Sequence, residues 1–113
     1  MKYKAHVKTQ IEGNKRFMGP GPYELLKYLK DENTVKDAAK KMNLSYSKAW
    51  KMINLIEKEL GEKILDRKSG GSDGGESSLN KIGIELLEKY ELYEKKIEKY
   101  ANDVFEEIFK DFN

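Results

Sequence analysis

The chain has 113 residues, of which 38% are hydrophobic and 37% charged, and it contains no cysteine. That length supports one domain with a modest core rather than two large ones. The missing thiols exclude disulfides and thiolate chemistry. A net charge of +2 conceals a split: residues 1–81 hold 17 basic against 11 acidic side chains (+6), and residues 82–113 hold 5 against 9 (−4). A polyanion would meet the first part.

No run of eighteen apolar residues is present, so nothing is expected to cross a membrane. The opening MKYKAHVKTQ lacks the apolar centre of a secretion signal, and a cytoplasmic location is the expectation. Lysine and glutamate are abundant while Gln10 is the only glutamine, a usage that fits a thermophile protein and equally an AT-rich genome.

Along residues 3–11, Tyr3, Ala5, Val7, Thr9 and Ile11 alternate with Lys4, His6, Lys8 and Gln10, which predicts a half-buried strand. Gly13-Asn14 marks a turn, and Gly19-Pro20-Gly21-Pro22 marks a break. Pro22 suits the first turn of a helix, in which Tyr23, Leu25, Leu26 and Leu29 form an apolar stripe to about Lys30. A second helix begins after Asn33 or Thr34 as cap, with Asp37 in its first turn and Val35, Ala38, Ala39 and Met42 facing inward. Asn43 is suited to a left-handed helix end. Ser45 caps a third helix that runs to Leu60 and closes at Gly61. Two helices joined by about three residues, with small Ala39 and Ala49 at the crossing, give a helix-turn-helix pattern.

Glu62–Lys68 (EKILDRK) then reads as a strand and Ser77-Ser78-Leu79 as its return partner, with a glycine-rich stretch between them that forms a hairpin tip or a free linker. Asn80 caps a long helix from Lys81 to about Asp111. Leu86, Tyr90, Tyr93, Ile97, Tyr100, Val104 and Ile108 follow a heptad-like seam along it, widened by Leu87, Ala101, Phe105, Phe109 and Phe112. Such a helix spans roughly 45 Å and exceeds what a small head covers. Its apolar face calls for a partner: the head is expected to cover part of it, and a second copy related by a twofold axis is the economical way to cover the rest. The expected fold is therefore mainly α with a small β wing. It is a winged helix-turn-helix head over residues 1–80, followed by a long dimerisation helix over residues 81–113 in the same compact unit.

Ser45–Gly83, SYSKAWKMINLIEKELGEKILDRKSGGSDGGESSLNKIG, resembles the DNA-binding domain of ModE-type molybdate-responsive regulators. The resemblance is carried by Ser45-Tyr46, Ala49-Trp50, the paired glycines Gly70-Gly71 and Gly74-Gly75, and the helix start at Leu79–Gly83. More distantly, Glu57–Gly61 is similar to a helix ending of LysR-type N-terminal domains. Asn80 stands where the family has threonine. The family's molybdate-binding domains have no counterpart in this sequence. The resemblance thus implies DNA binding and dimerisation, with no molybdate site visible and no cofactor expected.

On a helical wheel Ala49, Met52, Ile53, Ile56 and Leu60 of the third helix turn to the core. Tyr46, Ser47, Trp50, Lys51 and Asn54, with Lys48 beside them, are left for a ligand. Tyr46, Ser47, Trp50 and Lys51 match positions that face DNA in LysR-type proteins. Ser45 and the first-turn N–H groups suit a phosphate, and Lys51 suits a guanine edge. Trp50 has two readings, a shield at the helix interface or an apolar contact with DNA. Thr34, Lys36 and Lys40 are expected on the DNA backbone, and Arg67, Lys68, Ser69, Gly70 and Gly71 at the wing. The expected dimer seam comprises Leu86, Tyr90, Tyr93, Ile97, Tyr100, Val104, Phe105 and Ile108. These readings point to a homodimer that recognises a pseudo-palindromic duplex.

Enzyme chemistry finds no support. His6 is the only histidine, no Cys/His metal spacing exists, and GSDGGES lacks the Gly-Lys-Ser/Thr ending of a phosphate-binding loop. The rival readings are a winged-helix protein-interaction adaptor and a nucleoid-type binder of low sequence preference.

Overall fold

Four helices and two small antiparallel hairpins follow one another in a computed structural model that describes residues 2–68 and 76–112. In chain order they are β1 (Ile11–Glu12), β2 (Arg16–Met18), α1 (Pro20–Asp31), α2 (Val35–Lys41), α3 (Tyr46–Leu60), β3 (Leu65–Lys68), β4 (Glu76–Leu79) and α4 (Lys81–Phe109).

Most helix ends sit where the sequence supplies a local hydrogen-bonding device. The Thr34 side chain accepts from the Asp37 amide at 3.0 Å, Ser45 from Lys48 at 3.1 Å and Asn80 from Gly83 at 2.9 Å, each satisfying an amide the helix leaves unpaired. Helix α1 begins at Pro20, two residues before the expected start, because both prolines fit its first turn at no hydrogen-bonding cost. Asn43 has φ 52°. The Leu44 amide reaches the Ala39 carbonyl at 2.9 Å and the Asn43 amide the Lys40 carbonyl at 3.1 Å, a Schellman closure of α2. Gly61, with φ 71°, ends α3 in the left-handed region.

The core lies where α1, α2, α3 and the base of the second hairpin meet. Leu25, Leu26, Leu29, Val35, Ala38, Ala39, Ala49, Ile53, Ile56, Ile64, Leu65 and Leu79 are all buried there. Alanines at 38, 39 and 49 bring α2 and α3 close together, so the two helices hold a fixed mutual angle. Leu87 and Tyr90 pin the first third of α4 to this core. Its first turn rests on β3 so closely that a Cβ on Gly83 would stand 2.5 Å from the Ile64 carbonyl oxygen. Beyond Tyr90 the helix projects. The radius of gyration is 17.2 Å and the long axis 62 Å, against about 13 Å expected for a compact chain of this length.

The N-terminal segment differs from its expected form. Residues 3–10 have no strand partner, and the only pairing nearby is β1 with β2, Ile11 opposite Met18. Side chains of α4 take the place of a neighbouring strand. The Asn102 amide accepts from the Ala5 N–H at 2.9 Å and donates to the Ala5 carbonyl at 3.1 Å, while the Tyr90 hydroxyl donates to the Thr9 carbonyl at 2.7 Å. Tyr3 and Val7, expected inward, are exposed. Two boundaries also move: the wing strand begins at Leu65 instead of Glu62, and α4 ends at Phe109 instead of Asp111.

Candidate nucleic-acid interface

Packing Ala49, Ile53 and Ile56 into the core fixes which side of α3 faces outward. Tyr46, Ser47, Lys48, Lys51 and Asn54 are exposed on that outer side, and Ser45 caps the end at which they begin. The Ser45 oxygen is taken by Lys48, and the amides of Tyr46 and Ser47 have no acceptor within the helix, as at any helix start. Lys36 and Lys40 are exposed on α2, and Thr34, half-buried, caps that helix.

The second hairpin stands beside α3. Leu65 pairs with Leu79, Asp66 with Ser78, Arg67 with Ser77 and Lys68 with Glu76. One bond ties β4 to the head and another closes the hairpin's base. The Ser77 amide donates to the Asn33 carbonyl at 2.8 Å, and the Asn80 amide donates to the Ile64 carbonyl at 2.9 Å. Ser69, Gly70 and Gly71, expected at the tip, lie outside the described residues, as do Gly74 and Gly75.

Trp50 of α3 lies between the core and the wing. It is half-buried against the core, its indole meets the Tyr46 ring edge-on with centroids 6.3 Å apart, and its outer face carries the guanidinium of Arg67 at 4.4 Å. Sequence reasoning missed Glu57, which it noted only within a motif. This carboxylate is 7% exposed. One oxygen accepts from the Ile64 amide at 2.9 Å, and the other lies 3.7 Å from the Lys63 ammonium and 4.0 Å from Arg67. A glutamate beside a lysine on a helix gives no sequence signal of burial, because its partners arrive from the hairpin that follows.

The expected seam on α4 divides. Tyr90 is only 1% exposed and is covered within its own chain, while Leu86 is half-buried and packs partly against the core. The heptad spacing could not tell which chain would cover Tyr90. Tyr93, Tyr100 and Ile108 are exposed, the last two at 69%, while Ile97, Val104 and Phe105 are half-buried. Phe105, Phe109 and Phe112 stack in series near the helix end, with centroids 4.8 Å and 5.8 Å apart.

Tyr23 on α1 donates to the Glu91 carboxylate on α4 at 2.5 Å. That hydrogen bond, helped by Lys95, Lys27 and Lys30, holds the Glu91 carboxyl below the usual carboxylate range, while burial and the carboxylate push the Tyr23 phenol well above its own. This contact braces the long helix against the head. His6 is exposed, 4.0 Å from Glu98. Among the described residues, no three His, Cys, Asp or Glu side chains gather to hold a metal ion, and no helix is long and apolar enough to cross a membrane.

Residues 23–84, from α1 to the first turn of α4, match the family of bacterial regulatory helix-turn-helix proteins of the lysR type. Similar proteins include the transcriptional regulator ModE of Haemophilus influenzae, 32% identical over 79 residues that make up 70% of this chain and 31% of that protein. The DNA-binding transcriptional dual regulator ModE of Escherichia coli is 35% identical over 69% of this chain and 30% of its own length. ModE of Yersinia pestis is 32% identical over 67% of this chain and 29% of its own. The match thus spans less than a third of each relative.

Proposed function

The chain belongs to the lysR family of bacterial regulatory helix-turn-helix proteins, and we propose that it reads double-stranded DNA sequence-specifically, as a homodimer, to regulate transcription. The observation that carries the reading is the outer side of α3. Two lysines, a serine, an asparagine and an aromatic ring stand exposed there beside a wing tied to the same framework. In this proposal α3 lies in the major groove with its N-terminal half on the base edges. Lys51 and Asn54 address purines, for which ammonium and amide groups are suited donors, and Ser47 tolerates several bases. Lys48, Thr34, Lys36, Lys40 and the amides at the Ser45 cap hold phosphates and set the register. Arg67 and Lys68 carry the wing onto the neighbouring backbone, and Ser69, Gly70 and Gly71 contribute to that contact.

The head over residues 1–80 and α4 act as one unit, and the second copy docks mainly on the projecting half of α4. Leu86, Tyr93, Ile97, Tyr100, Val104, Phe105 and Ile108 form the seam, Tyr90 being occupied within its own chain. A twofold axis through that seam presents two α3 helices to successive major-groove faces. Selection of bound duplexes from a random pool at fixed salt tests this reading. Enrichment of an inverted repeat with half-sites centred about 10 bp apart, or a multiple of it, is expected. Recovery of a pool without consensus would instead identify a low-specificity binder.

A further inference from the structure

Arg67 is exposed like the lysines of the proposed interface, yet its guanidinium has two partners on α3. It leaves β3 opposite Ser77 and lays its guanidinium over the Trp50 ring at 4.4 Å, with one nitrogen 4.0 Å from the Glu57 carboxylate. Trp50 and Glu57 are seven residues apart, so they lie two turns apart on one side of α3. Neither moves readily: the indole is packed against the core and against Tyr46, and Glu57 is buried and bonded to the Ile64 amide. A side chain of the wing is therefore held in place by two side chains of the recognition helix.

We infer that Trp50 is a positioning residue for DNA binding. It presents the Arg67 guanidinium, at the junction of α3 and the wing, to a single backbone phosphate. This inference rests on the DNA-binding reading above. Stacking uses the face of the guanidinium and leaves its N–H donors radiating in the plane, where a phosphate can take two of them at once. The Glu57 carboxylate reaches the same group from the side of the hairpin base and limits its swing. With the ring removed, Arg67 becomes a long, unrestrained side chain and surrenders its rotamer freedom on binding.

The ionic-strength dependence of duplex binding separates this role from a merely structural one. Losing one phosphate contact lowers the slope of log affinity against log salt by about 0.9. Arg67→Ala is expected to lower the slope by that amount. Trp50→Leu is expected to lower it equally although no charge is altered, the double variant to fall no further than either, and Trp50→Phe to keep most of the slope. Trp50→Leu weakening binding at every salt concentration with an unchanged slope would overturn the inference, as would additive losses in the double variant.

A second measurement needs no change at Trp50. It is the only tryptophan in the chain, so acrylamide quenching of its fluorescence reports how well its face is covered. Quenching is expected to rise in Arg67→Ala, and equal quenching in the two proteins would refute the stack. If the wild-type protein binds no duplex, the DNA reading fails, whereas the quenching comparison on the free protein still decides the stack.

Discussion

Replacing Gly83 with alanine sets two effects of opposite sign against each other. Alanine is favoured over glycine inside a helix by up to about 1 kcal/mol, and Gly83 lies in the first turn of α4. The added methyl, however, would stand 2.5 Å from the Ile64 carbonyl oxygen and 2.8 Å from Leu79 Cδ2. The Leu79 methyl can rotate aside. The carbonyl cannot, because it already accepts the Asn80 amide at 2.9 Å within the base of the wing. Restoring ordinary contact requires α4 to lift by close to an ångström, which would loosen Leu87 and Tyr90 in the core. Overpacking of this kind costs about 1–3 kcal/mol. The net expectation is a loss of about 1–2 kcal/mol, or a fall in melting temperature of roughly 4–8 °C for a chain of this size. Thermal unfolding followed by circular dichroism measures it. An unchanged or raised melting temperature would mean that α4 does not sit this tightly on β3.

Three further expectations concern how the long helix is held and what it holds. Tyr90→Phe keeps the ring but leaves the buried Thr9 carbonyl and hydroxyl without their partner, and should cost about 1–2 kcal/mol in chemical denaturation. Because the Glu91 carboxyl is held below its ordinary value of about 4.5, its contribution is complete above that pH and is lost as pH falls through the folded value. The melting-temperature gap between wild type and Tyr23→Phe should accordingly narrow in acid, and a gap constant with pH would argue against the contact. Tyr93→Glu combined with Ile97→Glu places carboxylates on the projecting seam and should yield monomers in sedimentation. A persistent dimer would move the interface elsewhere.

Local hydrogen bonding was the most legible part of the sequence. Thr34, Ser45 and Asn80 are caps because short oxygen-bearing side chains meet amides two or three residues ahead, and Asn43 turns left-handed for an equally local reason. The helix-turn-helix and its wing followed from periodicity between those caps. What was not legible depends on partners distant in the chain. The alternation of residues 3–11 suggested a strand, yet the backbone there is satisfied by Asn102 and Tyr90, 97 and 81 residues away. Tyr90 fits a heptad seam and a core position equally well until the position of the head is known. Trp50 is open to two readings on the α3 wheel and Glu57 looks like an exposed acid, and only the arrival of Arg67, Lys63 and the Ile64 amide shows their partners.

DNA reading by the outer side of α3 is tested by an equilibrium binding measurement of Lys48→Glu/Lys51→Glu against wild type, on a duplex selected by the wild-type protein and on a random duplex of equal length. Both lysines are exposed, so the variant should keep its melting temperature and its association state. It is expected to lose its preference for the selected duplex and most of its affinity at moderate salt. Binding and discrimination equal to wild type would contradict DNA reading by α3.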